Sequence, residues 1–307
     1  MKKNTFFKLT FASIIGACIH NKYIDIKSNI DNSFISSNYS EYNSNFGCIK
    51  YRRTGNGSPI LLVHNISVGD SDREWDKLIP LLQNRTIYTI NLPGCGNSDK
   101  NLLQYTNFVY SKVIVDFIKN VIDDRTDIIT SGNSAIAAII SKMSDTDDLI
   151  KKIIFINPQK PVVSANIDSK TKLYCKVLEL PIIGSFIYNR AFTLDNIKNS
   201  LNKHFYITGA TLDEYSSSYY NSVHYKNLNS KYMYISTKLN LINDNTEYLL
   251  KNINSYSLIT SITYKENALW YNKVNPNVNI AYVNNCLDYP HIEQPQITAD
   301  KIQELLN

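Results

Sequence analysis

The sequence predicts an α/β fold in which a mainly parallel sheet has helices on both faces and a helical cap is inserted into the chain. Three observations support this prediction. Short apolar runs typical of buried strands alternate with helical patterns between residues 58 and 160. This order is typical of parallel strands joined by right-handed crossovers. The alternation stops between residues 160 and 256, which indicates an insertion. Finally, a chain of 307 residues is long enough to bury one large core.

The core elements follow one another with short turns between them. A first strand leads through a Gly-rich hairpin turn into a second, buried strand. Helical patterns, apolar on one side, then separate the remaining apolar runs and close the sheet from outside. The predicted strands are residues 47–52, 58–63, 87–92, 127–130, 151–156 and 257–263, and the predicted helices are residues 75–82, 105–122, 135–140 and 298–306.

Residues 160–256 are predicted to form the cap, above the carboxyl ends of the strands, where ligands bind to such sheets. Helical stretches are expected at residues 172–180, 182–188, 194–201, 212–225 and 245–253. The cap is rich in aromatic side chains that either line an apolar pocket or pack the cap on the core. They are Phe186, Tyr188, Phe192, Phe205, Tyr206, Tyr219 and Tyr220.

The first 45 residues differ from the main domain at residues 46–307. Residues 1–20 join a basic start to an apolar stretch shorter than the roughly 20 residues of a membrane span, and resemble a signal or anchor segment. Three interpretations remain: a lipoprotein signal ending at Cys18, an uncleaved anchor, and an amphipathic helix on the main domain. We expect membrane attachment, with the main domain outside the cytoplasm. Residues 21–45 are polar, which predicts a linker or extension.

Composition argues against several classes of partner. The net charge is +5 and the basic residues are dispersed, so a nucleic-acid surface is not expected. Neither a metal nor a nucleotide cofactor is expected, because the sequence lacks paired ligands at metal spacing and a phosphate-binding glycine motif. Five widely spaced cysteines do not predict a disulfide scaffold. The oligomeric state stays open.

One short motif carries the predicted chemistry. Residues 130–135, Thr-Ser-Gly-Asn-Ser-Ala, join an apolar strand to a helix of small residues. A serine on such a turn, here Ser134, is exposed at the carboxyl edge of the sheet, beside N–H groups that can stabilise an oxyanion. The alternative interpretation is a serine that caps an ordinary helix.

Three other segments accompany this motif in a fixed order. They are His64-Asn65 after a strand, a Leu-Pro-Gly-Cys-Gly-Asn-Ser turn at residues 92–98, and Pro-His-Ile-Glu-Gln-Pro at residues 290–295. Together with the Ser134 motif they resemble the α/β-hydrolase superfamily, in its capped serine-hydrolase form. The resemblance covers residues 46–160 and returns at the C-terminus. It implies that Ser134 is the nucleophile and that esters or related acyl compounds bind.

The resemblance also implies roles for the neighbours of Ser134. The N–H groups of Ile66 and Ala135 would stabilise the oxyanion. Three further residues would lie beside bound substrate, namely His64, Asn65 and Asn133.

The chain departs from the superfamily's pattern at the other catalytic positions. The general base is expected three residues before His291, where this chain has Asp288. The acid position holds Asn267, or Glu266 if the register shifts by one. A serine hydroxyl without a neighbouring base is a weak nucleophile at neutral pH. His291 is then either a structural residue or a displaced base.

Two functional hypotheses follow from these departures. In the first, the protein keeps the serine motif with an incomplete triad and is a weak or non-catalytic protein that binds a small apolar or acyl molecule. In the second, it is an active serine ester hydrolase in which His291 is the displaced base for Ser134, oriented by Glu266 or Asp288.

Overall fold

A computed structural model describes most of the 307-residue chain. The described residues are 2–30, 38–161, 166–206, 209–225, 229–253 and 256–306, and for residues 2–11 and 30 the description covers the backbone alone.

Eight described strands form one sheet in the order β1-β2-β4-β3-β5-β6-β7-β8. Strands β3 to β8 are parallel to one another, whereas β1 and β2 are antiparallel to their neighbours. This arrangement confirms the predicted, mainly parallel sheet. The strands are β1 (Ser40–Ser44), β2 (Gly47–Gly55), β3 (Ser58–Val63), β4 (Arg85–Ile90), β5 (Thr126–Ser131), β6 (Ile150–Ile156), β7 (Tyr256–Ser261) and β8 (Asn279–Val283).

The central strands are buried on both faces, which explains their continuous apolar sequence. Side chains alternate along β3, so Leu61 and Val63 join one core cluster while Ile60 and Leu62 join the cluster on the opposite face. Helices cover both clusters, as expected for parallel strands joined by crossovers. They are α2 (Asn107–Phe117), α3 (Ser134–Ser144), α10 (Lys265–Val274) and α12 (Pro295–Leu306), whereas the short α11 (Pro290–Glu293) before α12 buries Ile292 in a separate cluster with cap residues.

Short helical turns replace one predicted core helix. The apolar pattern at residues 75–82 forms two 3-10 helices, Asp72–Trp75 and Ile79–Leu81, which still bury Trp75 and Leu78. The helix predicted at residues 105–122 is α2 followed by a π-helical turn, Ile118–Ile122.

The predicted cap region is helical, with one unexpected element. Helix α8 (Ser230–Lys238) was not predicted, because its sequence, Ser-Lys-Tyr-Met-Tyr-Ile-Ser-Thr-Lys, has few apolar residues to define a helical face. The expected stretch at residues 245–253 is reduced to the short α9 (Glu247–Leu250). The other cap helices are α4 (Ser169–Glu179), α5 (Pro181–Ala191), α6 (Leu194–Leu201) and α7 (Ala210–His224).

Helix α1 (Lys2–Ile30) packs against the cap. The Asn21 side chain donates a hydrogen bond to the carbonyl of Ile182 at 3.0 Å, and the Ser28 hydroxyl donates to the carbonyl of His224 at 3.0 Å. No described helix is long and apolar enough to cross a membrane. The boundaries expected at residues 20 and 45 are not those of the elements, because α1 runs through both of the first two segments and β1 lies in the expected linker.

Candidate functional site

The candidate site lies where β3 and β5 end beneath the cap. At this edge β5 turns sharply into α3, and the residue at the tip of the turn is Gly132, with a left-handed φ of +56°. Nucleophile elbows place their reactive residue on such a strained strand-to-helix turn. The tip of the turn therefore has no side chain.

Ser134 lies two residues beyond the tip, at the start of α3, which differs from the position expected for it. Its side chain is fully buried. The hydroxyl lies 2.7 Å from the Ser131 carbonyl and 3.2 Å from the Val63 carbonyl, and it accepts a hydrogen bond from the Ser131 N–H at 3.2 Å. These contacts tie the helix to the ends of β3 and β5.

Asn65 covers the Gly132 turn. Its side-chain Oδ1 accepts a hydrogen bond from the Asn133 N–H at 2.9 Å. A Cβ atom at Gly132 would lie 2.4 Å from this oxygen, closer than non-bonded atoms approach. In nucleophile elbows the N–H after the tip helps to form the oxyanion hole. Here that N–H belongs to Asn133 and already has a partner within the protein.

Neither of the two residues expected to form the oxyanion hole, Ile66 and Ala135, lies at the tip of the turn. The Ala135 N–H bonds to the Gly132 carbonyl at 3.4 Å within the first turn of the helix. Ile66 is fully buried in the core cluster that also contains Leu61.

Two buried carboxyl groups hold Asn65 in place. The Asn65 side chain donates to Asp70 Oδ2 at 2.6 Å, and its backbone N–H lies 3.2 and 3.3 Å from the two carboxyl oxygens of Glu74. Asp70 also accepts a hydrogen bond from the hydroxyl of Tyr215 in α7, at 2.8 Å. Hydrogen bonds from residues of the core and, through Asp70, of the cap therefore hold Asn65 in place.

Burial controls the protonation of these carboxyl groups. Desolvation raises the pKa of Asp70 to about 6, although hydrogen bonds from Tyr215, Ser67 and Asn65 oppose the shift. Desolvation, followed by the nearby Asp70 charge, raises the pKa of Glu74 well above its usual range. Both carboxyl groups thus hold protons more tightly than exposed ones.

His291 lies beside Glu74 rather than Ser134. Its Nε2 is 3.6 Å from Glu74 Oε1, and its ring packs on Trp75 with a centroid separation of 4.5 Å. Burial lowers the pKa of His291 to about 3, so the imidazole is neutral at neutral pH. Among the described residues, no hydrogen bond joins His291 to Ser134.

Asp288 belongs to a polar chain between the sheet and the cap. His204 Nδ1 lies 2.6 Å from Asp288 Oδ2, and the Asp288 N–H donates to the His204 carbonyl at 3.1 Å. On the other side, the side chain of Tyr264 bonds to Asp288, and the Gln159 amide donates to the Tyr264 hydroxyl at 2.9 Å. The hydrogen bond with Asp288 raises the pKa of His204.

Sequence reasoning missed this chain of contacts, since its members lie far apart along the sequence. His204 and Asp288 are 84 positions apart, and no local pattern joins them. Tyr264 lies in the 3-10 helix Ile262–Tyr264, directly after β7. The signal that was available was the position of Asp288 before the segment at residues 290–295.

The remaining predicted residues make backbone contacts or face solvent. His64 is fully buried: its Nδ1 lies 2.7 Å from the Asn65 carbonyl and its Nε2 accepts from the Leu92 N–H at 3.0 Å. Burial lowers the pKa of His64 to about 4. The Asn267 side chain donates to the Pro158 carbonyl at 3.1 Å, and Glu266 is exposed.

Similar solved structures agree with this architecture, whereas no family model and no curated protein matches the sequence. A serine hydrolase involved in carbazole degradation is 14% identical with a TM-score of 0.69, covering 88% of this chain and 99% of that chain. A bromoperoxidase from Bacillus anthracis is 12% identical with a TM-score of 0.70 and the same coverage. A membrane phospholipase A, described as a bacterial virulence factor, is 14% identical with a TM-score of 0.66, covering 100% of this chain and 98% of that chain.

The protein has the α/β-hydrolase fold. The structural similarity establishes the fold, but sequence identities this low give no information on activity.

The cap of this α/β-hydrolase fold contains a cavity of about 280 Å³. Tyr219 connects the cavity to the loop after β3, because its hydroxyl lies 3.3 Å from Ser67 Oγ. The walls combine aromatic and aliphatic side chains with three polar ones, Asn196, Ser200 and Lys238. They include Phe192, Ile197, Leu201, Tyr219, Tyr234 and Lys238. Within the described ranges, no cluster of three metal-ligating side chains is present.

Proposed function

We propose that the protein is a non-catalytic member of the α/β-hydrolase fold that binds a small apolar or acyl molecule. The observation that carries this proposal is the contact of Asn65 with the Gly132–Asn133 turn. The turn lacks a side chain at its tip, and an internal amide already engages the N–H that would otherwise be free to bind an oxyanion.

Ser134 is poorly placed to replace the missing nucleophile. Its hydroxyl is buried and directed at the carbonyls of Ser131 and Val63. A serine attacks efficiently when a neighbouring base removes its proton. His291 lies against Glu74 and Trp75, and Asp288 is bonded to His204, so neither candidate base contacts Ser134 in the described structure.

The cap cavity supports the binding half of the proposal. Small-molecule sites are usually concave and mainly apolar, with a few polar groups that orient the ligand. Phe192, Tyr219 and Tyr234 supply apolar walls, and Lys238 adds a positive charge next to the Tyr234 ring, at 5.2 Å from its centroid. A short acyl chain with an anionic or polar end matches this lining.

Fluorophosphonate labelling of the full chain tests the absence of serine chemistry. We expect no labelling of the natural protein, because Ser134 lacks a base. Strong labelling that disappears in both Ser134→Ala and His291→Ala would contradict the proposal and favour the active ester hydrolase. Ser144→Ala, which changes an exposed serine of the same helix, is the matched control.

Calorimetric titration with a short fatty acid tests the binding half separately. We expect octanoic acid to bind the natural protein, and Ala191→Trp, which fills the cap cavity, to weaken binding about tenfold or more. Leu103→Trp, at an exposed position outside the cap, is the control. Equal binding by all three proteins would exclude the cap cavity as the site.

A further inference from the structure

Helix α1 has an inner and an outer face along its described length. On the inner face, Ala17 and Ser28 are buried, and Asn21 bonds to the cap. The outer face carries apolar side chains at spacings of four, four and three residues, which places them along one side of a helix. These exposed residues are Ile15, Ile19, Tyr23 and Ile26.

The corner between α4 and α5 extends this apolar surface. Leu180, Ile182 and Ile183 are exposed there around Pro181, and Ile183 is 46% exposed. The hydrogen bond from Asn21 to the Ile182 carbonyl places the corner directly beside α1. We call the exposed apolar residues of α1 and of this corner the outer apolar surface.

The charges around the outer apolar surface are mainly positive. Residues 1–30 contain five lysines and one aspartate, a net charge of +4. The aspartate, Asp25, is paired with Lys22 at 3.0 Å, while Lys27 is exposed. Helix α4 carries exposed lysines along its length, at Lys170, Lys172 and Lys176, and one exposed acidic residue, Glu179, at the corner itself.

We propose that the outer apolar surface docks on an anionic lipid bilayer, with α1 lying in the plane of the interface. Large exposed apolar patches mark protein or membrane contacts. Apolar residues bordered by lysines are typical of helices that lie on anionic membranes. A second copy of this chain would bring the same positive charges together, whereas phosphate headgroups neutralise them.

This mode of attachment needs no membrane-spanning helix. Part of the helix stays against the protein through Asn21 and Ser28, and the other side enters the interface. The outer apolar surface lies at the N-terminal end of α5, while the cap cavity is lined by Ala191 at the other end of that helix. The membrane test is therefore independent of the ligand test.

Vesicle flotation of the purified full chain tests the proposal. We expect about tenfold more protein to float with mixed phosphatidylcholine and phosphatidylglycerol vesicles than with phosphatidylcholine alone, and high salt to reduce this binding. The paired substitution Ile19→Asp and Ile183→Asp should abolish it. The matched control is Leu103→Asp with Leu269→Asp, because the four side chains are similarly exposed, at 65%, 46%, 65% and 55%.

Two further variants separate competing explanations. Lys22→Gln with Lys27→Gln should weaken binding to the anionic vesicles, whereas Lys112→Gln with Lys119→Gln on another surface should not. Cys18→Ser should bind as the natural protein does, and loss of its binding would overturn the proposal in favour of a lipid attached at Cys18. Circular dichroism checks that every variant is folded.

Three results would overturn the proposal outright. One is equal flotation of the natural protein and the Ile19→Asp, Ile183→Asp variant. Another is binding that does not depend on phosphatidylglycerol. The third is a natural protein that binds neither vesicle type and sediments as a dimer, while the Ile19→Asp, Ile183→Asp variant sediments as a monomer. The outer apolar surface would then bind a second copy of the chain.

Discussion

Asn65 and Gly132 fit together so closely that a methyl group on Gly132 would lie 2.4 Å from the Asn65 side-chain oxygen. The two residues come from the loop after β3 and the turn after β5, which are adjacent parallel strands. The amide thus fills the space where a nucleophilic side chain would stand, and also bonds to the Asn133 N–H. The same contact fixes the local geometry of the turn and is the basis of the proposal that the protein is non-catalytic.

Gly132→Ala should lower the free energy of unfolding by about 2–5 kcal/mol. Left-handed backbone costs a non-glycine residue roughly 1–2 kcal/mol, and overpacking against Asn65 adds about 1–3 kcal/mol. Urea denaturation measures the change. Gly209→Ala is the control, since Gly209 also has a positive φ, +95°, but no described atom lies within 4 Å of the place that its added methyl group would take.

Removing Asn65 should relieve most of the steric part of this cost. In an Asn65→Gly background we expect Gly132→Ala to cost about 1–2 kcal/mol, the backbone contribution alone. A double-mutant cycle by urea denaturation measures the difference. An identical cost in both backgrounds would show that the side chains do not compete for space.

The sequence predicted the fold well because the parallel strands are continuous apolar runs separated by helical patterns. It missed the strands at both edges of the sheet, β8 and β1, and the residues of β1, Ser-Glu-Tyr-Asn-Ser, are polar. Such a strand is defined by its pairing with β2 rather than by burial.

The site was harder to predict, because its geometry depends on backbone angles and long-range contacts. The motif at residues 130–135 does not reveal which residue occupies the tip of the turn. The φ of Gly132 places the tip two residues before Ser134. The pairing of Asp288 with His204 depends on how the cap folds back on the sheet, which no local pattern encodes.

Ser134→Ala should destabilise the protein by about 1–3 kcal/mol, although Ser134 resembles a catalytic residue. The substitution removes a buried hydroxyl that accepts a hydrogen bond from the Ser131 N–H and donates to the carbonyls of Ser131 and Val63. Urea denaturation should show a lower midpoint. Ser144→Ala in the exposed last turn of α3 should change it much less, and equal effects would contradict a structural role for Ser134.

Asp72→Ala should lower the free energy of unfolding by more than Ser134→Ala does, by about 3–5 kcal/mol. The buried Asp72 carboxylate accepts hydrogen bonds from Arg52, Thr89 and Asn91, so its loss leaves a largely buried arginine without this partner. Thermal and urea unfolding measure the effect. Asp147→Ala, which removes an exposed pair with Lys119, should have little effect.

The pair of His204 and Asp288 should make stability depend on pH near neutrality. The hydrogen bond to Asp288 raises the pKa of His204 above its usual 6.5, so the folded protein binds this proton more tightly than the unfolded chain. The resulting stabilisation is complete below the unfolded pKa of 6.5 and is lost as pH rises through the folded pKa. Both side chains are partly exposed, so solvent screening keeps the effect small.

Urea denaturation at pH values through this range should show a steeper fall of the unfolding free energy with pH for the natural protein than for His204→Gln or Asp288→Asn. The exposed control Asp300→Asn should keep the natural slope, and equal slopes in all four proteins would mean that His204 does not hold the cap through its charge.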